Sequence, residues 1–270
     1  MIGALKHIAK SAINRVRAFS TDPEILANKS QLLYASLPEA DFELFGFLDR
    51  PGGLVVDAGA NRGHCALAVL STTAHLNVIA FEPNEALRTP LEWIRRKYPE
   101  RFSYRLCGLG SSDGPGELLV PTAGGLRATT NATIRGSEFD KDYVQERLAD
   151  ELGTDFERIE FPTQTVEIRT LDSFGLDPLA IKIDVEGLER AVIEGGRETI
   201  SRCRPMLMIE MNNHMEFFPV LESMGYRFYR YESGERRLIR ISGAEVFLNV
   251  ICLHPERQIV PRELTKEGAA

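Results

Sequence analysis

The sequence predicts an α/β fold with a doubly wound, mostly parallel sheet, and three observations carry that prediction. Apolar strand-like runs alternate with helix-like segments along most of the chain. The first run, within LVVDAGANRGHCAL (residues 54 to 67), turns tightly through Gly59 and Gly63 into a helix. A stretch without strand–helix rhythm, from about Ser111 to Ser173, separates the third strand from the fourth and reads as an insertion or lid.

Taken in order, the strands fall at residues 54–60, 76–83 (stopped by Pro83), 102–110, 179–187 and 205–212. Thr89-Pro90-Leu91-Glu92 reads as a helix start, with threonine as cap, proline at the first position and glutamate closing a capping box. A helix is predicted from Leu188 towards Ser201, and another from Phe217 to Met224, stopped by Gly225. YRFYRYE, RRLIRI and VFLNVICL read as closing strands, the first two around a Ser233-Gly234 turn. Within the insertion, DKDYVQERLADEL has helical character. The aromatics Tyr226, Phe228, Tyr229 and Tyr231 alternate as core and sheet surface.

With 270 residues, 43% of them hydrophobic, the chain can bury a sizeable core. A net charge of −7 offers no global attraction for a polyanion, so nucleic acid is not an expected partner. Cys65, Cys107, Cys203 and Cys252 stand far apart and form no metal or dithiol motif; they read as buried thiols of a cytoplasmic protein. Residues 1–30 form a unit of their own ahead of the body at 31–257, and 258–270 read as a tail. Lys6, Lys10, Arg15 and Arg17 flank an apolar stripe at helical spacing in residues 1–20. That helix either docks on the domain or makes a peripheral contact with a membrane, at its inner face, or with a protein partner.

In a doubly wound sheet, ligands sit beyond the carboxyl ends of the strands where the strand order reverses. The loop after the first strand therefore names the ligand class. Its glycines are spaced G-x-x-x-G with Asn61 between them, and Asp57 stands two residues before Gly59. That acid repels a diphosphate and suits a cationic or zwitterionic ligand. Glu82 ends the second strand, where a carboxylate accepts hydrogen bonds from a ribose diol. The combination fits S-adenosyl-L-methionine better than NAD.

The residues Asp57-Ala58-Gly59-Ala60-Asn61-Arg62-Gly63, Phe81-Glu82-Pro83, Ile181 to Glu189 (IKIDVEGLE) and Ile209-Glu210 together resemble the FkbM-type methyltransferases. The resemblance covers roughly residues 50 to 255 and implies a Rossmann-like class I methyltransferase fold with S-adenosylmethionine as donor. It further implies O-methylation of a hydroxyl on a sugar, a glycan or a glycosylated natural product. Carried over, Asp57, Gly59, Asn61 and Gly63 line the methionine and ribose portion and Glu82 the ribose. Ser112 and Asp113 fall where such enzymes often hold the adenine.

A sugar hydroxyl is about as weakly acidic as water, with a pKa of about 15.7 for the latter, so some group must take its proton. Asp184 and Glu186 alternate at the end of the fourth strand and are expected to share a face, with Glu210 alongside from the fifth. Crowded carboxylates raise one another's pKa, which would make Asp184 a competent base. Alternatively, Asp184 and Glu210, with Asn212, hold Mg2+ that acidifies the hydroxyl. A third candidate is His214, just after the fifth strand. Glu189 reads as a helix-start residue, His64 as packing, and Lys182 as a strand residue facing an acid. Two other functions fit the same fold. One is an inactive nucleoside-binding module held by the N-terminal helix; the other is a nicotinamide oxidoreductase, against which stands the lack of any Tyr-x-x-x-Lys pair.

Overall fold

The computed structural model describes residues 39–128, 132–134, 136–211, 216–241 and 248–265. The N-terminal helix, Asn212 and His214 lie outside them. A short helix α1 (Glu43–Gly46) precedes β1 (Leu54–Ala58), α2 (His64–Thr72), β2 (Asn77–Phe81), α3 (Arg88–Lys97) and β3 (Phe102–Arg105). The insertion follows: β4 (Gly108–Leu109), β5 (Gly114–Leu119), β6 (Thr122–Ala123), β7 (Leu126–Arg127), α4 (Asp142–Leu152) and β8 (Thr163–Arg169). The second half runs β9 (Ala180–Ile183), α5 (Glu189–Gly195), α6 (Arg197–Cys203), β10 (Met206–Glu210), α7 (Phe218–Ser223), β11 (Arg227–Glu232), β12 (Arg237–Arg240) and β13 (Asn249–Leu253).

The main sheet has the order β12-β11-β13-β10-β9-β1-β2-β3. Its pairings from β3 across to β10 are parallel; β13, β11 and β12 close the far side antiparallel. The chain winds from β1 outwards through β2 and β3, then returns to place β9 on the other side of β1. The order therefore reverses between β1 and β9, which opens a crevice at their carboxyl ends.

Residues alternate in direction along each strand, so both sheet faces are apolar. Val55, Val78, Ala180 and Met208 join α2 and α3 in one core. Val56, Ile79, Ile181 and Leu207 join α5, α6 and α7 in the other. Val260 and Leu264, in the segment read as a tail, pack into the first of these cores, so the domain runs past residue 257. All four cysteines are buried and free. No helix among the described residues is long and apolar enough to cross a membrane.

Several elements differ from expectation for local reasons. The Thr89 capping box does not form. The helix starts earlier, behind a single turn capped by Asn84, whose side chain accepts the Ala86 N–H at 3.1 Å. Glu92 then pairs with Arg95 at 2.6 Å instead of reaching back. The predicted third strand divides: β3 ends the main sheet, while β4 pairs with β8 in a second sheet of order β4-β8-β5. The helix expected from Leu188 breaks at Gly196 into α5 and α6. The β11–β12 turn finds its left-handed residue at Arg236, with φ +48°, rather than at Gly234.

Gly195 is the contact that lets α5 lie against the insertion's first strand. A Cβ there would stand 1.9 Å from the Gly110 carbonyl oxygen, a backbone atom that cannot step aside. Gly195→Ala should therefore lower the unfolding free energy by about 1–3 kcal/mol, the usual cost of forced overpacking. Gly46→Ala, where a methyl meets open space, should not lower it; urea denaturation of both variants checks the contrast.

Candidate active site

The crevice is shaped first by glycine. The chain leaves β1 through left-handed backbone at Gly59 (φ +79°), Asn61 (+51°) and Gly63 (+80°). A Cβ on Gly59 would lie 1.8 Å from the Asp184 carbonyl oxygen, so only glycine lets this loop press against the exit of β9. The Gly59 and Ala60 N–H groups both donate to the Phe81 carbonyl at 3.0 Å, and the Asp184 N–H donates to the Ala58 carbonyl at 3.0 Å. The loop is thereby stitched to both neighbouring strand ends.

Asp57, just before the loop, is 1% exposed and accepts the Ala66 N–H from the first turn of α2 at 3.2 Å. Burial pushes its pKa up to about 6, with Asp184 adding to the rise and Lys182 opposing it. Glu82 accepts the Asn61 N–H at 2.7 Å and the Asn84 N–H at 2.8 Å. Burial carries its pKa up to about 7 despite these bonds. Each Glu82 oxygen keeps a free lone pair, as the ribose role requires. Beside it, Asn61 Oδ1 and Asn84 Nδ2 are buried without a hydrogen bond among the described residues. A buried polar group left so costs about 1–3 kcal/mol. An acceptor and a donor awaiting partners around a buried acid fit the polar edge of a nucleoside.

The second group of acids assembles by a turn rather than by strand alternation. β9 ends at Ile183; Glu186 has φ +47° and Gly187 +97°, so the backbone reverses there and Glu186 is not a strand residue. Asp184, Glu186 and Glu210 nevertheless converge. Buried Lys182 forms an ion pair with Asp184, and its charge also attracts Glu210 and Asp57. Burial, the hydrogen bond with Asp184 and that residue's charge raise Glu210 to about 10, so Glu210 holds a proton and donates it to Asp184. Burial pushes Asp184 upwards too, but Lys182, the bond from Glu210 and Arg147 outweigh it and keep its pKa below the ordinary value. Crowding therefore does not make Asp184 the basic member, contrary to expectation. Glu186, raised by burial and by Asp184 to about 7, takes that place.

The insertion closes over this turn with residues that the sequence did not single out. Thr133 Oγ1 donates to the Glu186 carbonyl at 2.9 Å. Glu138, paired with Lys141 at 2.6 Å, lies where a Cβ on Gly187 would meet it at 2.6 Å. Arg147 Nη2 stands 3.8 Å from Glu186 Oε2. The helix carrying Arg147 is fixed by Val144, Leu148 and Leu152, which join Phe139 and Ile159 in a core separate from the sheet's. That stripe was visible in the sequence; the fold around it, which aims Arg147, was not.

The remaining candidates fall elsewhere. Asp113 is half exposed and accepts the Thr170 N–H at 2.7 Å and Arg169 Nε at 3.1 Å, which pins the end of β8; Ser112 beside it is exposed. Glu189 accepts the Gly187 N–H at 3.0 Å at the start of α5, as expected of a helix-start residue. His64 is half-buried and held neutral, its pKa lowered to about 4 by desolvation, Arg62 and Lys182. Magnesium does not fit. Lys182 already pairs with Asp184, and no group of three or more His, Cys, Asp or Glu side chains able to hold a metal ion forms among the described residues.

Asp57, Glu82 and Glu186 all hold protons in the fold at pH values where a free carboxylate has lost them. The folded state thus binds more protons than the unfolded chain between about pH 4.5 and 7, and stability falls as pH rises through that window. Urea midpoints of the ligand-free protein should decline from pH 4.5 to 7, and Glu82→Gln should flatten the decline.

The methyltransferase FkbM domain matches residues 57–231, more than half of the chain. No curated protein matches by sequence. Among solved structures, an FkbM methyltransferase from Methylobacillus flagellatus KT is 15% identical, with 91% of this chain and 58% of that one covered and a TM-score of 0.47. A SAM-dependent O-methyltransferase from Thermotoga maritima is 14% identical (81% and 65% covered, TM-score 0.37). An rRNA methylase from Streptococcus thermophilus is 15% identical (80% and 92% covered, TM-score 0.38). The chain thus spans less than two thirds of the Methylobacillus protein, and likenesses this distant add no weight to the site. The domain match, running from Asp57 through the Asp184–Glu186 turn and Glu210 into β11, decides the family: the chain belongs to the FkbM methyltransferases.

Proposed function

We propose that this protein is an S-adenosyl-L-methionine-dependent O-methyltransferase whose acceptor is a hydroxyl of a sugar, a glycan or a glycosylated natural product. One observation carries the donor: Asp57 and Glu82, buried at the ends of adjacent strands, flank a glycine loop beside which Asn61 Oδ1 and Asn84 Nδ2 lack partners among the described residues. Such a corner disfavours a diphosphate, and it offers carboxylates to a ribose diol and to a positively charged donor.

Bound S-adenosylmethionine would supply a methyl group on a sulfonium, whose S–C bond breaks as the new O–C bond to the hydroxyl forms. The chain's part is to position the two reactants and to remove the hydroxyl proton. Glu186 is the base best suited, because its pKa of about 7 matches neutral conditions and its carboxylate is partly open. Asp184, locked by Lys182 and by the Glu210 proton, orients the turn that carries Glu186.

Calorimetric titration with S-adenosylhomocysteine tests the donor, with NAD as comparison. Micromolar binding of the sulfur nucleoside is expected, weakened at least tenfold, on the order of 1.4 kcal/mol or more, by Asp57→Asn and by Glu82→Gln. Binding of NAD in its place would overturn the assignment. For the base, Glu186→Gln should cut turnover by about 10²–10⁴-fold while leaving nucleoside affinity intact, and should remove the rise of rate with pH near 7. An enzyme that turned over no acceptor despite tight nucleoside binding would instead be the inactive binding module.

A further inference from the structure

Arg147 is the cation that the insertion brings to the acceptor side of the cleft. Its Nη2 is 3.8 Å from Glu186 Oε2, an ion-pair distance beyond the 2.7–3.2 Å of a hydrogen bond. Its Nε is buried and makes no hydrogen bond among the described residues. The side chain as a whole is 38% exposed, so it is a half-buried cation that can reach a ligand from solvent. Helix α4 is nailed down through Val144, Leu148 and Leu152, and Gly153 ends it in a left-handed cap with φ +65°. Glu186 does not saturate the fork: it approaches Arg147 only to ion-pair distance, and its raised pKa leaves it about half neutral at pH 7. Lys141, the other insertion cation nearby, is already paired with Glu138 at 2.6 Å. A planar fork held at a cleft with an unsatisfied donor matches the two oxygens of a carboxylate or phosphate.

We propose that Arg147 recognises an anionic group on the acceptor, so that the substrate is an acidic sugar or sugar phosphate rather than a neutral one. This rests on the methyl-transfer reading, because it takes the Glu186 side of the cleft as the acceptor side. The group bound is an oxyanion, and its two sources are a uronic carboxylate and a phosphate ester.

The test is equilibrium binding to the full chain saturated with S-adenosylhomocysteine, using D-glucuronate, glucose 6-phosphate and glucose as probes. At least one anionic sugar should bind tenfold or more tightly than glucose, and the tighter of the two identifies the source. Arg147→Gln should abolish that preference with nucleoside affinity unchanged, which also reports that the variant is folded. Arg147→Lys, which keeps the charge but not the fork, should retain only part of it. Equal binding of all three sugars, or a preference that survives Arg147→Gln, overturns the proposal while leaving the donor assignment standing. Failure of S-adenosylhomocysteine to bind the unaltered protein overturns the methyl-transfer reading, and this inference with it.

Discussion

A buried ammonium holds the centre of this molecule together. Lys182 lies inside the sheet with Asp57 on one neighbouring strand, Glu210 on the other and Asp184 two residues ahead. Three carboxyl groups brought that close in a low-dielectric interior would repel strongly if all were ionised. The lysine charge lets one remain an anion, and the proton on Glu210 removes another. Deleting one partner of a buried pair typically costs about 3–5 kcal/mol, because a charge is left uncompensated. The geometry of the turn at Asp184–Gly187, and through it the position of Glu186, depends on that balance.

Around this centre, neighbouring charge rather than residue type separates the acids into roles, because burial raises all of them alike. Asp184 and Glu186 are chemically near-identical groups two residues apart, yet one is held ionised by its ion pair with Lys182 while the other is poised near neutrality. Backbone strain contributes as well. Glu186 adopts a left-handed conformation that side-chain-bearing residues seldom take, and the Thr133 hydroxyl on its carbonyl helps to hold it there. The insertion is thus part of the machinery that sets the turn.

Much of this was legible in the sequence, for definable reasons. The parallel strands announce themselves as short apolar runs, and the acids at their ends, Asp57, Glu82 and Glu210, follow from strand order alone. Left-handed geometry at Gly59 and Gly63 is what glycine at such a turn means. Legibility failed where long-range packing decides. Beside the break between α5 and α6, Gly195 meets a carbonyl more than eighty positions away, a contact no local window contains. β8 does alternate as TQTVEIR, but of its partners β4 has only two residues and β5 opens on Gly-Pro-Gly, so the second sheet had no rhythm to betray it. Likewise the sign of each carboxylate's pKa shift depends on which neighbour is cationic, and Arg147 comes from a helix that only the tertiary fold brings near.

The insertion's hydrophobic cluster, Ala128, Phe139, Val144, Leu148, Leu152 and Ile159, shares no member with the clusters that flank the main sheet. Structures with separable cores accumulate change separately. Residues of the insertion can drift, and the helix bearing Arg147 can be resculpted, without disturbing the apolar contacts beneath the glycine loop. A lineage built this way can keep one methyl donor for good while exploring new acceptors, because mutations in the two halves draw on different reserves of stability.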